Sequence, residues 1–410
     1  MAYFGGYLLL LKACILLYWL KRSLGRVQLC RFSSTRSDAA ELGEGFVVSS
    51  IAQGTCYGND NLTRLPLLEP KHGLPFYIAL ELFTQGDCGG LTSRNSPSVF
   101  ATSSLYELRF FLTGSGTVHN FQGKEVDIRA GDTVLTPAGA TWCFAAQHSL
   151  GEPLACLVAY IPQNLFKHVA ENSDINDESL VEELKETLEE LFFQSNFNVM
   201  SPTTGVPGPM YSILKSAKGM MDVSSSSISA PEKRLSSPIF SWWRRFIDYS
   251  QSWLYNMRLH STISTLPTVR RTLQDLITFQ LPNQTNRLAL VFDPMEKQEA
   301  VPFVFGVEIF EPLHKTVPHI HSNAFEVFFI LSGQGEAFCD SRRMPIQIGD
   351  IIAFRPGATH GIDNTSAEEK IYCLELMLPN ENFAEFVRSG LPIGNLNDDD
   401  LCIIARIGCS

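Results

Sequence analysis

The chain has 410 residues, 45% of them hydrophobic and 18% charged, with 28 phenylalanines. That is length for two or three domains and apolar material for large cores. The formal charge of -11 argues against a nucleic-acid partner, because phosphate binding calls for a basic surface.

Residues 1–37 differ from the rest. They carry Lys12, Lys21, Arg22, Arg26, Arg31 and Arg36 and no acid. The run from Tyr3 to Leu20 is almost wholly apolar, interrupted by Lys12, and falls just short of the roughly 20 residues that span a bilayer. A membrane anchor and an organelle presequence (mitochondrial or plastid) both fit, the second through the arginines and serines of 31–36. A secretory signal fits less well, for want of a basic start and a small-residue cleavage site. Residues 38–60 read as a polar linker, with the folded chain beginning near Asn61. The ten cysteines form no Cys-x-x-Cys pair, so neither a zinc knuckle nor a disulfide scaffold is indicated, and reduced intracellular thiols are the simpler reading.

The sequence then repeats itself. Residues 64–71 recur as 287–295, 74–83 as 301–310, 107–116 as 326–335, 131–141 as 349–359, and 154–166 more loosely as 371–383. Two copies of one unit follow, at 61–168 and 285–410. Each consists of short β-branched and aromatic segments separated by Gly and Pro turns, a pattern that predicts an all-β sandwich or barrel. An insertion around residues 86–90 lengthens the first copy and could lie over its mouth.

Residues 169–284 match neither copy. Leu180, Val181, Leu184, Leu188, Leu191 and Phe192 recur at helical spacing, and Asp177 can cap that helix. Residues 223–238 have the Ser-rich composition of a tether. The stretch 240–258 interleaves Trp242, Trp243, Phe246 and Trp253 with Arg244, Arg245 and Arg258. It reads as a helix packed on the barrels or as one lying at a membrane surface. A short helix is expected from Arg270, another over 381–389, and a final apolar strand over 401–407.

The chemistry concentrates in 318–364. His319 and His321 are one residue apart, so in a strand they share a face. Glu326 opens the next strand, Gly333 turns it, and His360 follows a second turn at Gly349. Three imidazoles and one carboxylate suit Fe(II), Mn(II), Ni(II) or Zn(II) and leave positions open for a substrate. Strand parity puts Phe328, Ile330, Ile352, Phe354 and Ile362 on the same inward face, an apolar cavity for an organic body. Arg355 is the best-placed cation for a substrate carboxylate, and His314 reads as a loop or surface histidine.

These residues resemble the two motifs of the cupin superfamily, H-x-H-x4-E-x6-G at His319, His321, Glu326 and Gly333, and G-x7-G-x2-H-x3-N at Gly349, Gly357, His360 and Asn364. Two positions depart from the pattern: Leu313 stands where a glycine is usual, and the motif proline is Pro356, one residue late. The resemblance implies two double-stranded β-helix (jelly-roll) barrels, a bicupin, with His319, His321, Glu326 and His360 as ligands of a divalent metal, Fe(II) or Mn(II) favoured. It implies a small-molecule substrate and Glu326 as a group that can also act as a base. In the first copy, Phe100, Thr102 and Trp142 replace the histidines and only Glu107 remains, so that barrel is expected to be metal-free. Oxalate decarboxylases are similar in being bicupins but carry ligands in both halves. The resemblance therefore leaves open an oxygenase, a non-redox isomerase, lyase or decarboxylase, and a storage-like or ligand-binding protein. Homo-oligomerisation stays open too.

Overall fold

The computed structural model describes residues 40–41, 45–51, 56–58, 62–83, 100–101, 105–120, 125–138, 141–147, 154–163, 165–166, 201–203, 268–295 and 301–405. The expectations for residues 1–37, the insertion at 86–90, the helix from Asp177, the tether and the 240–258 stretch lie outside them. Among the described residues, no helix is long and apolar enough to cross a membrane.

The described residues form four antiparallel sheets in two barrels, as the internal repeat predicts. The first barrel pairs an eight-stranded sheet, containing Leu62–Leu68, Tyr77–Phe83, Leu105–Thr113, Thr133–Thr136 and Leu154–Pro162, with a four-stranded one. The second pairs a nine-stranded sheet, containing Arg287–Phe292, Val304–Phe310, Phe325–Ser332, Asp350–Phe354 and Ile371–Leu378, with another four-stranded one.

The two large sheets face each other across a shared core. Phe325, Val327, Phe329 and Leu331 join residues of the first barrel such as Leu80, Leu108, Phe110 and Leu157 in one apolar cluster. Phe328 and Ile330, on alternate positions of the same strand, pack with Phe354 and Ile362 inside the second barrel. Burial on both faces explains why 325–332 is so uniformly apolar where a half-exposed strand would alternate. Edge-on ring contacts of Phe76 with Phe325 (5.6 Å) and Tyr106 with Phe303 (5.7 Å) cross the same boundary.

Each barrel also lends a strand to the other, which corrects two expectations. Residues 46–50, assigned to a linker, form a buried strand on Asp350–Phe354 of the second barrel. Phe46 and Val48 fill that barrel's interior while Val47 enters the shared core. Val269–Arg271, where a helix was expected, pairs instead with Thr133–Leu135 of the first barrel. Arg270 clamps that edge, its Nε and Nη2 reaching the Asp132 carboxylate at 2.9 and 3.2 Å. Both departures have one cause: an exposed edge of a large sheet is an unpaired row of hydrogen-bonding groups, and the nearest extended segment covers it.

The closing segment is a third correction. Asp398–Ala405 is a helix, not the end of an apolar strand. The Asn397 side chain accepts from the Asp400 amide at 2.8 Å, and three acids occupy the first turn, both favourable at a helix start. Leu401 and Ile404 enter the shared core. Asp400 is wholly buried, taking Arg287 at 3.1 and 3.3 Å and the Tyr372 hydroxyl at 3.0 Å. On the same helix, Cys402 is disulfide-bonded, so the reading of wholly reduced thiols fails there; Cys156, Cys339 and Cys373 are buried free thiols. The short helix expected over 381–389 is present as Phe383–Arg388.

Backbone geometry accounts for the motif glycines and for one departure from them. Gly333 has φ +90, and a Cβ there would lie 2.4 Å from the Lys370 carbonyl. Leu313, standing where a glycine is usual, keeps the left-handed backbone, at φ 59.

Candidate metal centre

His319 lies on the short strand His319–Ile320, directly opposite His360 on Thr359–Asp363. Glu326 comes from the facing large sheet, paired with Phe354 and Met377. The structure thus brings His319, His321, Glu326 and His360 together, with ligand atoms all within 4.8 Å of one another. Nε2 of His360, His319 and His321 lies 2.5, 3.8 and 3.9 Å from a Glu326 oxygen.

The imidazoles are oriented by the backbone. Nδ1 of His360 lies 2.8 Å from the Ala358 carbonyl and Nδ1 of His319 lies 3.1 Å from that of Val317. A proton on each Nδ1 leaves Nε2 aimed at the centre, the arrangement that fixes ligating histidines. The His360 ring also stacks on Phe354 at 4.4 Å. His321 Nε2 is buried without a hydrogen-bond partner, an orphan that a metal ion would satisfy. The donor set and this orphan together fit a divalent cation.

Charge favours the same occupant. Burial pushes the Glu326 carboxyl up, yet contacts with His319, His360 and His321 hold it well below the carboxylate range. Burial lowers His319, but Glu326 outweighs it and leaves its pKa raised; burial lowers His321.

His319, His321 and Glu326 line a cavity of about 430 Å³, with His360 packed behind them against Glu326. Its apolar wall includes Phe310, Phe328, Ile362 and Phe383. At the mouth, Glu381 and Asn382 have positive φ of 44 and 64, and the Phe383–Arg388 helix begins there. Glu381 Oε1 accepts from the amides of Ser322 and Asn323 at 3.0 and 3.1 Å, tying this rim to the His321 loop.

Two acids that sequence reasoning passed over complete the site. Glu308 and Glu375 lie on adjacent strands, each almost fully buried, and both line the cavity. Burial, then the Glu326 charge, pushes Glu308 up to about 8, although Asn286 donates to it. Burial and the carboxyls of Glu308 and Glu326 push Glu375 well above the ordinary range. The available signal was parity: Glu308 and Glu375 are the lone acids inside otherwise apolar strands.

Other expectations fare differently. Arg355 does not line the cavity; its Nη2 donates to the His72 carbonyl at 2.6 Å, joining the barrels instead. His314 is buried, not superficial, with Nδ1 at 2.7 Å from the Thr285 hydroxyl and its ring 5.1 Å from Phe310. Asn364 is structural: its Nδ2 donates to the carbonyls of Phe310, Glu311 and Glu369 at 2.8–3.1 Å.

The first barrel repeats the scaffold without the ligands. Phe100 stands opposite Trp142, the register of His319 and His360; Thr102 lies outside the described residues. Glu107 keeps its place, and its partner is Arg109. Arg64 joins Glu81 at 2.8 Å, and the Tyr160 hydroxyl links both arginines and Glu81 at 3.0–3.1 Å. Guanidinium charge thus balances these buried acids in the first barrel.

The family model described as "Cupin domain" matches residues 306–377, which span every strand of the second barrel that carries the site. No curated protein matches. Among solved structures, the chain is similar to an oxalate decarboxylase of Lactobacillus farciminis in a formate complex, with 13% identity and a TM-score of 0.46 over 88% of this chain and 89% of that one. It is similar to the protein Ylba of E. coli at 13% and 0.44, covering 84% and 94%. Oxalate decarboxylase OxdC of Bacillus subtilis gives 11% and 0.45, covering 83% and 78%. Similarities this low carry no argument about the reaction. The matched domain and the motif residues converging at one centre make the second barrel a cupin domain, and the first barrel repeats its scaffold.

Proposed function

We propose that the second barrel is the centre of a metal-dependent enzyme that oxygenates a small organic molecule. The observation that supports this is the convergence of three imidazoles and one carboxylate within 4.8 Å at a cavity of about 430 Å³. The set favours Fe(II) or Mn(II), with Zn(II) or Ni(II) as alternatives. A bound metal would polarise a chelating substrate oxygen and, if iron or manganese, open one-electron chemistry with dioxygen. The chain's own residues position and shield. His319 and His360 are held by carbonyls, Glu326 supplies the anionic oxygen, and Phe310, Phe328 and Phe383 exclude water from an organic body.

A non-redox isomerase, lyase or decarboxylase is the second reading, favoured by Glu308 and Glu375. Two buried carboxyls beside the centre can hold and return a proton to a bound substrate. A ligand-binding or storage-like protein without metal is the third. Metal analysis after anaerobic loading separates them: about one metal per chain in the parent, lost in His319→Ala, is expected for an enzyme centre. A parent chain holding well under half a metal would sink both enzymatic readings. Oxygen uptake across a substrate panel then divides oxygenase from non-redox chemistry.

For the N-terminal segment we propose targeting or anchoring, with membrane association through residues 3–20 and 240–258. A fluorescent fusion of residues 1–60 tests organelle against secretory routing, and carbonate extraction tests anchoring. Homo-oligomerisation is tested by light scattering.

A further inference from the structure

The cavity's polar wall is one-sided. Its acidic lining residues are Glu308, Glu326, Glu375 and Glu381, and among the described residues no Lys or Arg lines it. The described cations nearby are committed elsewhere. Arg355 reaches His72, Lys315 and Arg343 share Asp363 at 3.2 and 2.9 Å, and Arg287 serves Asp400. Five buried acceptor atoms on this wall have no protein donor: Gln284 Oε1, Asn286 Oδ1, both oxygens of Glu375, and Glu381 Oε2. Glu375 is 1% exposed, so these are desolvated groups on the cavity side of the barrel. Buried acceptors of this kind are costly unless something donates to them.

A ligand here must meet two demands. It needs lone pairs for the metal and hydrogen-bond donors for the wall. A carboxylate offers lone pairs for the metal but no donor, and among the described residues no lysine or arginine on the wall balances its remaining charge. An ammonium offers donors but no lone pair. A hydroxyl supplies both from one group.

We infer that the second barrel selects an uncharged polyhydroxy compound, whose hydroxyl oxygens face the metal and whose protons bond Glu375, Glu381 and Asn286. The carbon body lies against Phe310, Phe328 and Phe383. Beyond the metal, the described wall offers no lysine or arginine and sets carboxyls against the far end of the ligand, so a second carboxylate is disfavoured. The inference rests on the reading of a metal centre, and narrows its chelating substrate to the hydroxyl class.

The test uses the full chain loaded with Mn(II), its metal content measured first. Threitol and tartrate share a four-carbon diol core and differ in ending in hydroxymethyl or carboxylate groups. Titration calorimetry is expected to find threitol bound at least tenfold more tightly than tartrate. Glu375→Leu is expected to weaken threitol at least fivefold at unchanged metal content. Tighter binding of tartrate, or no measurable binding of threitol to the loaded parent, overturns the inference, as does a threitol affinity unmoved in Glu375→Leu. A chain that takes up no metal fails the earlier reading instead, so the two failures are distinguishable. The comparison in the parent chain stands even where the variant does not fold.

Discussion

Arg109 donates to Glu107, its neighbour two residues back on the same inward strand face, and the pair is almost wholly buried. The second barrel carries Phe328 and Glu326 in these places, and there Glu326 meets three histidines. Removing the guanidinium would leave Glu107 and Glu81 buried without that charge. Arg109→Leu is therefore expected to destabilise the chain by about 3–5 kcal/mol, the usual result of breaking one side of a buried pair. Urea denaturation followed by tryptophan fluorescence checks it; a change below about 1 kcal/mol would mean that Arg64 and Tyr160 suffice.

Metal affinity is expected to rise with pH. His319 has its pKa raised above the ordinary 6.5 by Glu326, and a ligating imidazole must be neutral, so binding releases a proton that acid returns. Below that pKa the affinity should fall by up to about tenfold per pH unit for each proton displaced. Competition with a chelator from about pH 5.5 to about pH 8, across the imidazole range, measures the slope. A flat profile would count against His319 as a ligand.

Without metal, Glu308 should make the chain less stable as pH rises. Its folded pKa of about 8 exceeds the ordinary 4.5, so the folded state binds the extra proton between those values. The contribution is fully present below the lower value and lost as pH climbs through the upper one, with a slope of up to about 1.4 kcal/mol per pH unit. Glu308→Gln keeps the acceptor for Asn286 and removes the titration. Chemical denaturation of metal-free parent and variant at several pH values should give a flatter dependence in the variant.

Glu375→Leu is expected to raise stability by about 1–3 kcal/mol, because it removes a buried carboxyl that no protein group satisfies. Thermal melts of the metal-free protein check the sign. A loss of stability would show that Glu375 braces the barrel, and that the acceptors serve structure before ligand.

Leu313→Gly should stabilise the chain by about 1 kcal/mol, since leucine at φ 59 sits in a backbone region that costs L-residues about that much. The side chain is 62% exposed, so little burial is lost. A shift of the melting temperature upward by a few degrees would bear this out.

Local patterns could be read directly because they depend only on near neighbours. The alternation of His319 and His321, the turn at Gly333 and the spacing to His360 follow from strand periodicity. The repeat of 107–116 in 326–335 announced two copies of one barrel. The residues replacing the histidines in the first copy were equally legible, since Phe100 and Trp142 occupy the matching register.

What depended on distant partners was not. Phe46–Ser50 is too short to identify alone and becomes a strand because the edge at Asp350–Phe354 awaits it. Arg355 follows Phe354 directly, yet its guanidinium is claimed by a carbonyl of the other barrel. Glu107 found its counterion only when Arg109, Arg64, Glu81 and Tyr160 converged from four strands. Sequence alone thus determined the scaffold, its duplication and the four candidate ligands at His319, His321, Glu326 and His360. Tertiary structure decided which charges face the cavity, because desolvation and pairing act through space between residues far apart in the chain.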